Sequence, residues 1–509
     1  MQLVAYGAQD FYLTGNPQIT FFKVVYRRHT NFATESIEQT FNGNANFNGK
    51  VVCNIQRSGD LINKMYLRAV LTGPTATTGK WAWVRRVGHA LLSEQVLEVG
   101  GTQIDKHYND WLNIWNELAR NPNHDRGYNQ MIGNTVEATT LAESHNQLTV
   151  WVPLQFACCR NDGLSLPVIS LQYHDIKVSL TFNRVEQLIN RTKNFNINTN
   201  DFQILSASLY VDYVYLDNEE RKKFAQASHE YLFEQLQYSG DESIQSGGSY
   251  KIRLNFNHPV KELVWICKAN KYTSGRAFLA YDSQSAEQTR VLATKRFVLR
   301  CAKYTNDSLF SQSGKVDVVD GLPANLKAIY DAINPVCVTN SPDVDNIIIL
   351  GRTLTSAEIS TPTDVLFAGF NPTVPVASEG HSSKDVVVVL NDNFGVYLDG
   401  TGNPVSQVLL QLNAHDRFSK REGAYFNYVQ PHQTHNNTPA DGINVYSFAN
   451  NPEEHQPSGT CNMSRIDNAT LSLDFVDAFK TEPATVSVWA PNYNVFRVLS
   501  GMGGLAYSN

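Results

Sequence analysis

In the stretch "DIKVSLTF" (175–182) every second residue is apolar, with Ile176, Val178, Leu180 and Phe182 on one side and Lys177, Ser179 and Thr181 on the other. A period of two gives a strand one apolar and one polar face, so the segment belongs in an antiparallel sheet that lies on a core. The pattern recurs in "ILSASLYVDYVYL" (204–216), "KIRLNF" (251–256), "DVVVVL" (385–390) and "ATVSVW" (484–489), with clusters of Gly, Asn, Asp and Pro between. A chain built this way is mainly β.

Two segments follow helical spacing instead. In "YNDWLNIWNELARNP" (108–122) Trp111, Leu112, Trp115, Leu118 and Ala119 share a face, and Asn121-Pro122 stops the run. In "LDNEERKKFAQASHEYLFEQL" (216–236) Asp217 and Glu220 have the spacing of a capping box, and Phe224, Tyr231 and Leu232 supply an apolar stripe. This second run predicts a linker helix over 218–237.

On either side of that linker the strand signals repeat. "GKVVCNIQRSGDLINKMYLRAV" (49–70) parallels "YKIRLNFNHPVKELVWICKA" (250–269), and "HDIKVSLTF" (174–182) parallels "IDNATLSLDF" (466–475). Each second member is followed by one more strand, "ILSASLYVDYVYL" or "ATVSVWAPNYNVFRVL". Lys50 matches Lys251 at an offset of 201 and Phe182 matches Phe475 at 293, so about 92 extra residues lie within the second copy. The turn-rich stretch at about 270–405, with "DGLPAN", "NPTVPVASEGHSSK" and "LDGTGNP", is the expected insertion. At 509 residues the chain exceeds the roughly 250–300 at which a single core stops growing. The expected division is an N-terminal segment (1–25), a first β domain (26–217), the linker helix (218–237) and a second β domain (238–509).

Charge and cysteine usage exclude several functions. The net charge is −6, and the basic clusters "YRRH" (26–29) and "ERKK" (220–223) are short, so no stripe capable of neutralising phosphates exists and direct nucleic-acid binding is not expected. Seven cysteines without regular spacing (53, 158, 159, 267, 301, 337, 461) suggest neither a disulfide framework nor zinc, and point to a reducing compartment. The start "MQLVAYGAQDFYLTGNPQ" has no basic-then-apolar signal pattern, and no apolar run approaches membrane length, so a soluble chain without an export signal is expected. The sequons at Asn190, Asn306, Asn436, Asn462 and Asn468 are then chance matches.

Five sets of residues have chemistry to be weighed. Cys461 follows His455 by six residues, but "PSGT" (457–460) reads as a turn in which Pro457 fixes φ and Gly459 permits positive φ, leading to a strand rather than a nucleophile with its base. His432 and His435, near His415 and Asp416, form an HxxH. With "VQP" and "NNTPAD" flanking it no helix is expected, so the two are read as surface loop histidines, not metal ligands. Adjacent carboxylates such as Glu453-Glu454 and Glu219-Glu220 do not give the roughly 5–9.5 Å separation of a glycosidase pair, and are read as a solvated turn and a helix start. Cys158-Cys159 reads as small filler at a strand end. "GMGGLAY" (501–507) lacks the strand and helix of a phosphate loop. No catalytic, cofactor-binding or metal residue is therefore expected, and no cofactor.

The stretches "GAQDFYLTGNPQITFFKVVYRRHTNF" (7–32), "LPVISLQYHDIKVSLTF" (166–182), "DRFSKREGAYFNYVQPHQTH" (416–435), "GINVYSFANNPEEHQPSGTCNMSRIDNATL" (442–471) and "NYNVFRVLSGMGGLAYSN" (492–509) closely resemble the major capsid proteins of the nucleo-cytoplasmic large DNA viruses. The resemblance covers most of the chain except about 270–405. It implies an all-β fold of two consecutive eight-stranded jelly rolls, few short helices and a large loop insertion in the second. It also implies a homotrimer, pseudo-hexagonal because it holds six similar sandwiches, that packs against neighbouring capsomers in an icosahedral virion shell assembled in the host cytoplasm. The segment before Thr30, weakly alternating at Ile19, Phe21 or Phe22, and Val24, would lie on the inner side, meeting minor capsid proteins or an internal membrane. Two other readings stay open: a scaffold that shapes a membrane and is discarded, and a carbohydrate-binding or carbohydrate-cleaving sandwich, since fold alone does not decide function.

Overall fold

The computed structural model describes the chain apart from residues 1–6, 19–23, 25, most of 271–401, 508–509 and a few loop positions (109, 140–141, 192–194, 245–247, 481–482). In the first half eight strands, β1 (Phe32–Thr40), β2 (Lys50–Asn54), β3 (Leu61–Thr72), β4 (Leu92–Val99), β5 (Thr102–Tyr108), β6 (Leu148–Pro153), β7 (Ile176–Phe182) and β8 (Gln203–Leu216), form a sandwich. Their sheets run β1-β8-β3-β6 and β2-β7-β4-β5, antiparallel throughout.

The second half repeats this order strand for strand. β9 (His229–Ile244), β10 (Ser249–Leu254), β11 (Glu262–Ala269), β12 (Val405–Leu412), β13 (His415–Asp416), β14 (Ile443–Ser447), β15 (Ala469–Phe475) and β16 (Ala484–Leu499) pair as β9-β16-β11-β14 and β10-β15-β12-β13. Each half is thus a jelly roll, two packed antiparallel sheets with short edges. The β7 and β15 strands singled out by alternation share one burial pattern, with Ile176, Val178, Leu180 and Phe182 answering to Ala469, Leu471, Leu473 and Phe475 in their respective cores.

The insertion falls in one equivalent connection. β3 and β4 are joined by residues 73–91, whereas β11 and β12 are joined by 270–404. Most of that stretch lies outside the described residues. Within it Val387–Val389, from the expected strand "DVVVVL", pairs with Ile347–Ile349. Ile19, Phe21 and Phe22 of the N-terminal segment also lie outside the described residues, while Val24 is exposed.

Helix α1 (Trp111–Ala119) forms where the spacing places it and ends ahead of Pro122. The linker helix is shorter than expected. Helix α2 spans Asn218–Gln226, its first turn capped by the Asp217 side chain, which accepts from the Glu220 amide at 2.9 Å. From His229 the chain is strand β9, so Tyr231 and Leu232 belong to a sheet. The reason is tertiary: β9 aligns with β16 from His229↔Val498 to Ile244↔Ala484, and a long ladder outweighs a weak helical stripe. Among the described residues, no helix is long and apolar enough to cross a membrane.

Candidate functional site

The two jelly rolls meet along an apolar seam. Inward residues of β11 (Leu263, Trp265, Cys267) fill the second core, while the outward Val264 and Ile266 join Leu236, Ile443, Val445 and Trp489 beneath Trp111, Ile114, Trp115 and Leu118 of α1. Both faces of this sheet are therefore dry, which explains why most of β16 is buried. The indoles of Trp111 and Trp489 lie 6.4 Å apart, and Tyr238 stacks on Trp489 at 5.3 Å. At about 25 cal/mol per Å² of apolar surface, a contact of this kind stabilises the pair of domains by several kcal/mol. Polar contacts fix its register. Asp110 accepts from Lys268 Nζ at 3.3 Å and Tyr281 OH at 3.1 Å, Asp105 accepts from the Leu236 amide at 3.0 Å, and Glu117 accepts from the Ala440 amide at 3.2 Å. Glu117 is also bonded by Arg86, and its carboxyl, although burial alone would raise its pKa, is held below the ordinary range by Arg86, Arg85 and Arg120.

At one end of the seam lies a buried charge cluster. Glu234 on β9 binds Lys261 Nζ at 2.7 Å and, through its other oxygen, Arg160 of the first half at 3.0 Å, while His455 Nδ1 approaches to 3.8 Å. Burial opposes ionisation of Glu234, but Arg160, His455 and Lys261 bring its pKa down to about 2. Lys261 also donates to the Glu454 carbonyl at 3.2 Å and lies 5.2 Å from the Tyr493 ring. His455 thus faces a carboxylate of the seam. Cys461 pairs with Val260 on a short strand, and burial raises its thiol pKa, the opposite of what a nucleophile needs. Gly459 has φ +142°, and a Cβ there would meet the Phe448 carbonyl at 2.6 Å, so this turn does require glycine.

The HxxH is not a pair of surface loop histidines. Tyr425–Val429 forms a π-turn that continues into α3 (Gln430–Thr434), which carries Pro431 as its second residue. His432 is exposed on this helix, but His435 at its C-terminal end is buried between two carboxylates, Nε2 to Glu262 at 2.8 Å and Nδ1 to Glu453 at 2.9 Å. Glu453 lies in a turn as expected, but its carboxylate is half-buried as a partner of His435, while Glu454 is exposed. Burial lowers the imidazole pKa, but Glu262 and Glu453 more than offset this and raise it to about 9. With both ring nitrogens donating, His435 has no lone pair for a metal. Among the described residues no group of three or more His, Cys, Asp or Glu is arranged to hold one.

The cation at His435 makes stability depend on pH. A folded pKa of about 9 against about 6.5 unfolded gives a contribution present in full below pH 6.5 and lost as pH rises through 9, on the order of 3 kcal/mol. Urea midpoints at pH 6 and pH 9.5 are expected to differ more for the native chain than for His435→Gln, and equal slopes in the two would refute this role.

The remaining candidates are structural. Cys158 and Cys159 sit on a short helix after β6 (Ala157–Arg160), not at the end of a strand, with their sulfurs 3.9 Å apart as free thiols in hydrogen-bond contact. Glu220 pairs with Lys223 at 2.9 Å on α2, and Met502–Leu505 of the glycine-rich stretch pairs with β16.

Two family models divide the chain near α2: "Major capsid protein N-terminus" matches residues 20–217 and "Large eukaryotic DNA virus major capsid protein" matches 220–504. The chain belongs to the major capsid proteins of large eukaryotic DNA viruses. It is similar over its full length to the major capsid protein of Phaeocystis pouchetii virus, at 43% identity over 545 residues covering 99% of that protein. It is similar to capsid protein 1 of Acanthamoeba polyphaga mimivirus at 40% identity over 591 residues, covering 100% of this chain and 99% of the relative. Among solved structures, a quasi-atomic model of the PBCV-1 virus capsid matches with a TM-score of 0.67 and 31% identity, covering 96% of this chain and 100% of that one.

Proposed function

We propose that the chain is the shell subunit of a large DNA virus, acting without catalysis, and that three copies close into a pseudo-hexagonal capsomer that packs against neighbouring capsomers in an icosahedral virion. The observation that carries this reading is the strand-for-strand equivalence of the two jelly rolls across a rigid apolar seam. Two similar sandwiches per chain become six in a trimer, so a three-fold object acquires six similar sides and tiles hexagonally. Assembly in the host cytoplasm, residues 1–25 on the inner side against minor capsid proteins or a nearby internal membrane, and no direct contact with the genome complete the proposal.

Light scattering of the purified chain is expected to give about three times 57.0 kDa, and negative-stain images a hexagonal outline. A stable monomer at all concentrations would overturn the trimer. Presence of the protein in mature particles separates a shell subunit from a discarded scaffold.

A further inference from the structure

One face of helix α1 covers the second jelly roll through Trp111, Ile114, Trp115 and Leu118. Another face, Leu112, Trp115, Asn116 and Ala119 at spacings i, i+3, i+4 and i+7, lines a cavity of about 320 Å³. The facing walls come from Tyr128, on the next helix (Asp125–Met131), and from Gln155, which follows β6. Arg120 and Asp125, both part-exposed, also line it and pair with each other at 3.1 Å. The volume lies at the lower end of the range for small-molecule sites.

The polar groups of this cavity are uncharged or cancel in charge, and the fold leaves several of them unused. Asn116 is only 9% exposed, yet among the described residues neither its side-chain amide nor that of Gln155 has a hydrogen-bond partner. A buried amide on an otherwise apolar stripe costs about 1–3 kcal/mol unless something in the cavity answers it. The Tyr128 hydroxyl is positioned by His89 Nε2 at 2.7 Å. Whichever of the two donates, the phenol oxygen keeps a hydrogen or a lone pair for a second bond. Burial and Arg86 bring the His89 pKa down to about 3, and burial raises that of Tyr128, so both are neutral.

Two amides and a phenol call for a ligand whose groups both donate and accept, as hydroxyls do. The apolar wall decides its shape. Trp115 is 8% exposed, with Arg160 at 4.8 Å and Trp111 at 5.8 Å from its ring, so it presents no open face on which a planar heterocycle could stack. A saturated ring carrying hydroxyls, with C–H groups along one side, meets both conditions. We propose that the cavity binds one uncharged pyranose unit, free or at the end of a glycan, with Asn116, Gln155 and Tyr128 holding its hydroxyls and Leu112 and Ala119 its C–H side. Asp125 is the single carboxylate among the lining residues and is tied to Arg120. The pair of carboxyl groups that glycoside cleavage needs is therefore missing, and the site binds without cutting. The inference stands apart from the trimer reading and adds a binding site to the first jelly roll of a shell subunit.

Saturation-transfer NMR on the purified chain tests it, with glucose, galactose, mannose, N-acetylglucosamine and their methyl glycosides as probes. At least one is expected to bind, with its signal reduced at least fivefold by Asn116→Leu and by Gln155→Ala. Signal from a methyl glycoside supports a glycan terminus as the ligand, and signal from the reducing sugars alone supports a free sugar. No signal from any probe, or a signal equal in the native chain and both variants, overturns the proposal. Binding of adenine in place of every sugar overturns it equally. Should Asn116→Leu disturb α1 on the seam, Gln155→Ala carries the test alone, its fold verified by an unchanged melting midpoint, since Gln155 lies outside the seam.

Discussion

Leu473→Asp is expected to leave no folded protein. Leu473 is fully buried at the centre of β15, opposite Tyr250 on β10 and Val408 on β12, in the core that holds the second jelly roll together. Losing the leucine costs about 2–5 kcal/mol in transfer and cavity terms. An aspartate there must also be buried protonated or drag water into the core, at several kcal/mol more. Against a whole-domain stability of roughly 5–15 kcal/mol, that sum removes the fold. The soluble fraction after expression and the melting transition report it directly. Leu180→Asp, at the equivalent place in β7, is expected to do the same to the first jelly roll. Cys461→Ser is the control, since its side chain is half-buried on a two-residue strand and engages no base. Its unfolding free energy from urea titration should stay within about 0.5 kcal/mol of native, as for substitutions away from special features. A folded Leu473→Asp beside an unfolded Cys461→Ser would reverse the argument.

That prediction concerns the part of the fold most legible in the sequence. Alternation marks which side chains of β7 and β15 point inward because a strand's two faces are fixed by its own backbone, with no help from distant residues. The duplication was readable for the same reason, since strands and turns repeat locally even where side chains have diverged. The linker helix expected over 218–237 ends at Gln226 instead, and the sequence hides this because Glu230 and Glu234 interrupt the apolar pattern of what is β9. Glu234 faces Lys261 and Arg160, partners remote in the chain, so nothing near it marks a charged residue as internal. His435 was misread on the same ground, as its carboxylates come from 18 and 173 residues away. A sequence signal for both did exist, in "HPVKELVW" (258–265), where Lys261 and Glu262 interrupt an apolar run leading into a central strand. Charges placed there must be paired or hydrogen-bonded, since lone buried charges are not tolerated.

Glu234→Leu tests that pairing and is expected to cost about 3–5 kcal/mol, because it leaves Lys261 buried without its carboxylate and frees Arg160 from the opposite jelly roll. Lys261 is already held below its ordinary pKa by burial, which the carboxylate partly offsets, so without Glu234 it falls further and titrates nearer neutrality. Adding Lys261→Met should recover most of the loss, since an apolar pair of similar volume needs no desolvation of charge, and Arg160 can keep its stacking on Trp115 at 4.8 Å. The native pair also sets an acid limit. The Glu234 contribution is present above about pH 4.5 and is lost as pH falls toward about 2. Urea midpoints of native, single and double variants at pH 3.5 and pH 7 measure all of this. If Glu234→Leu costs the same with and without Lys261→Met, the cluster is not acting as a unit, and the cost belongs to the Arg160 contact across the seam.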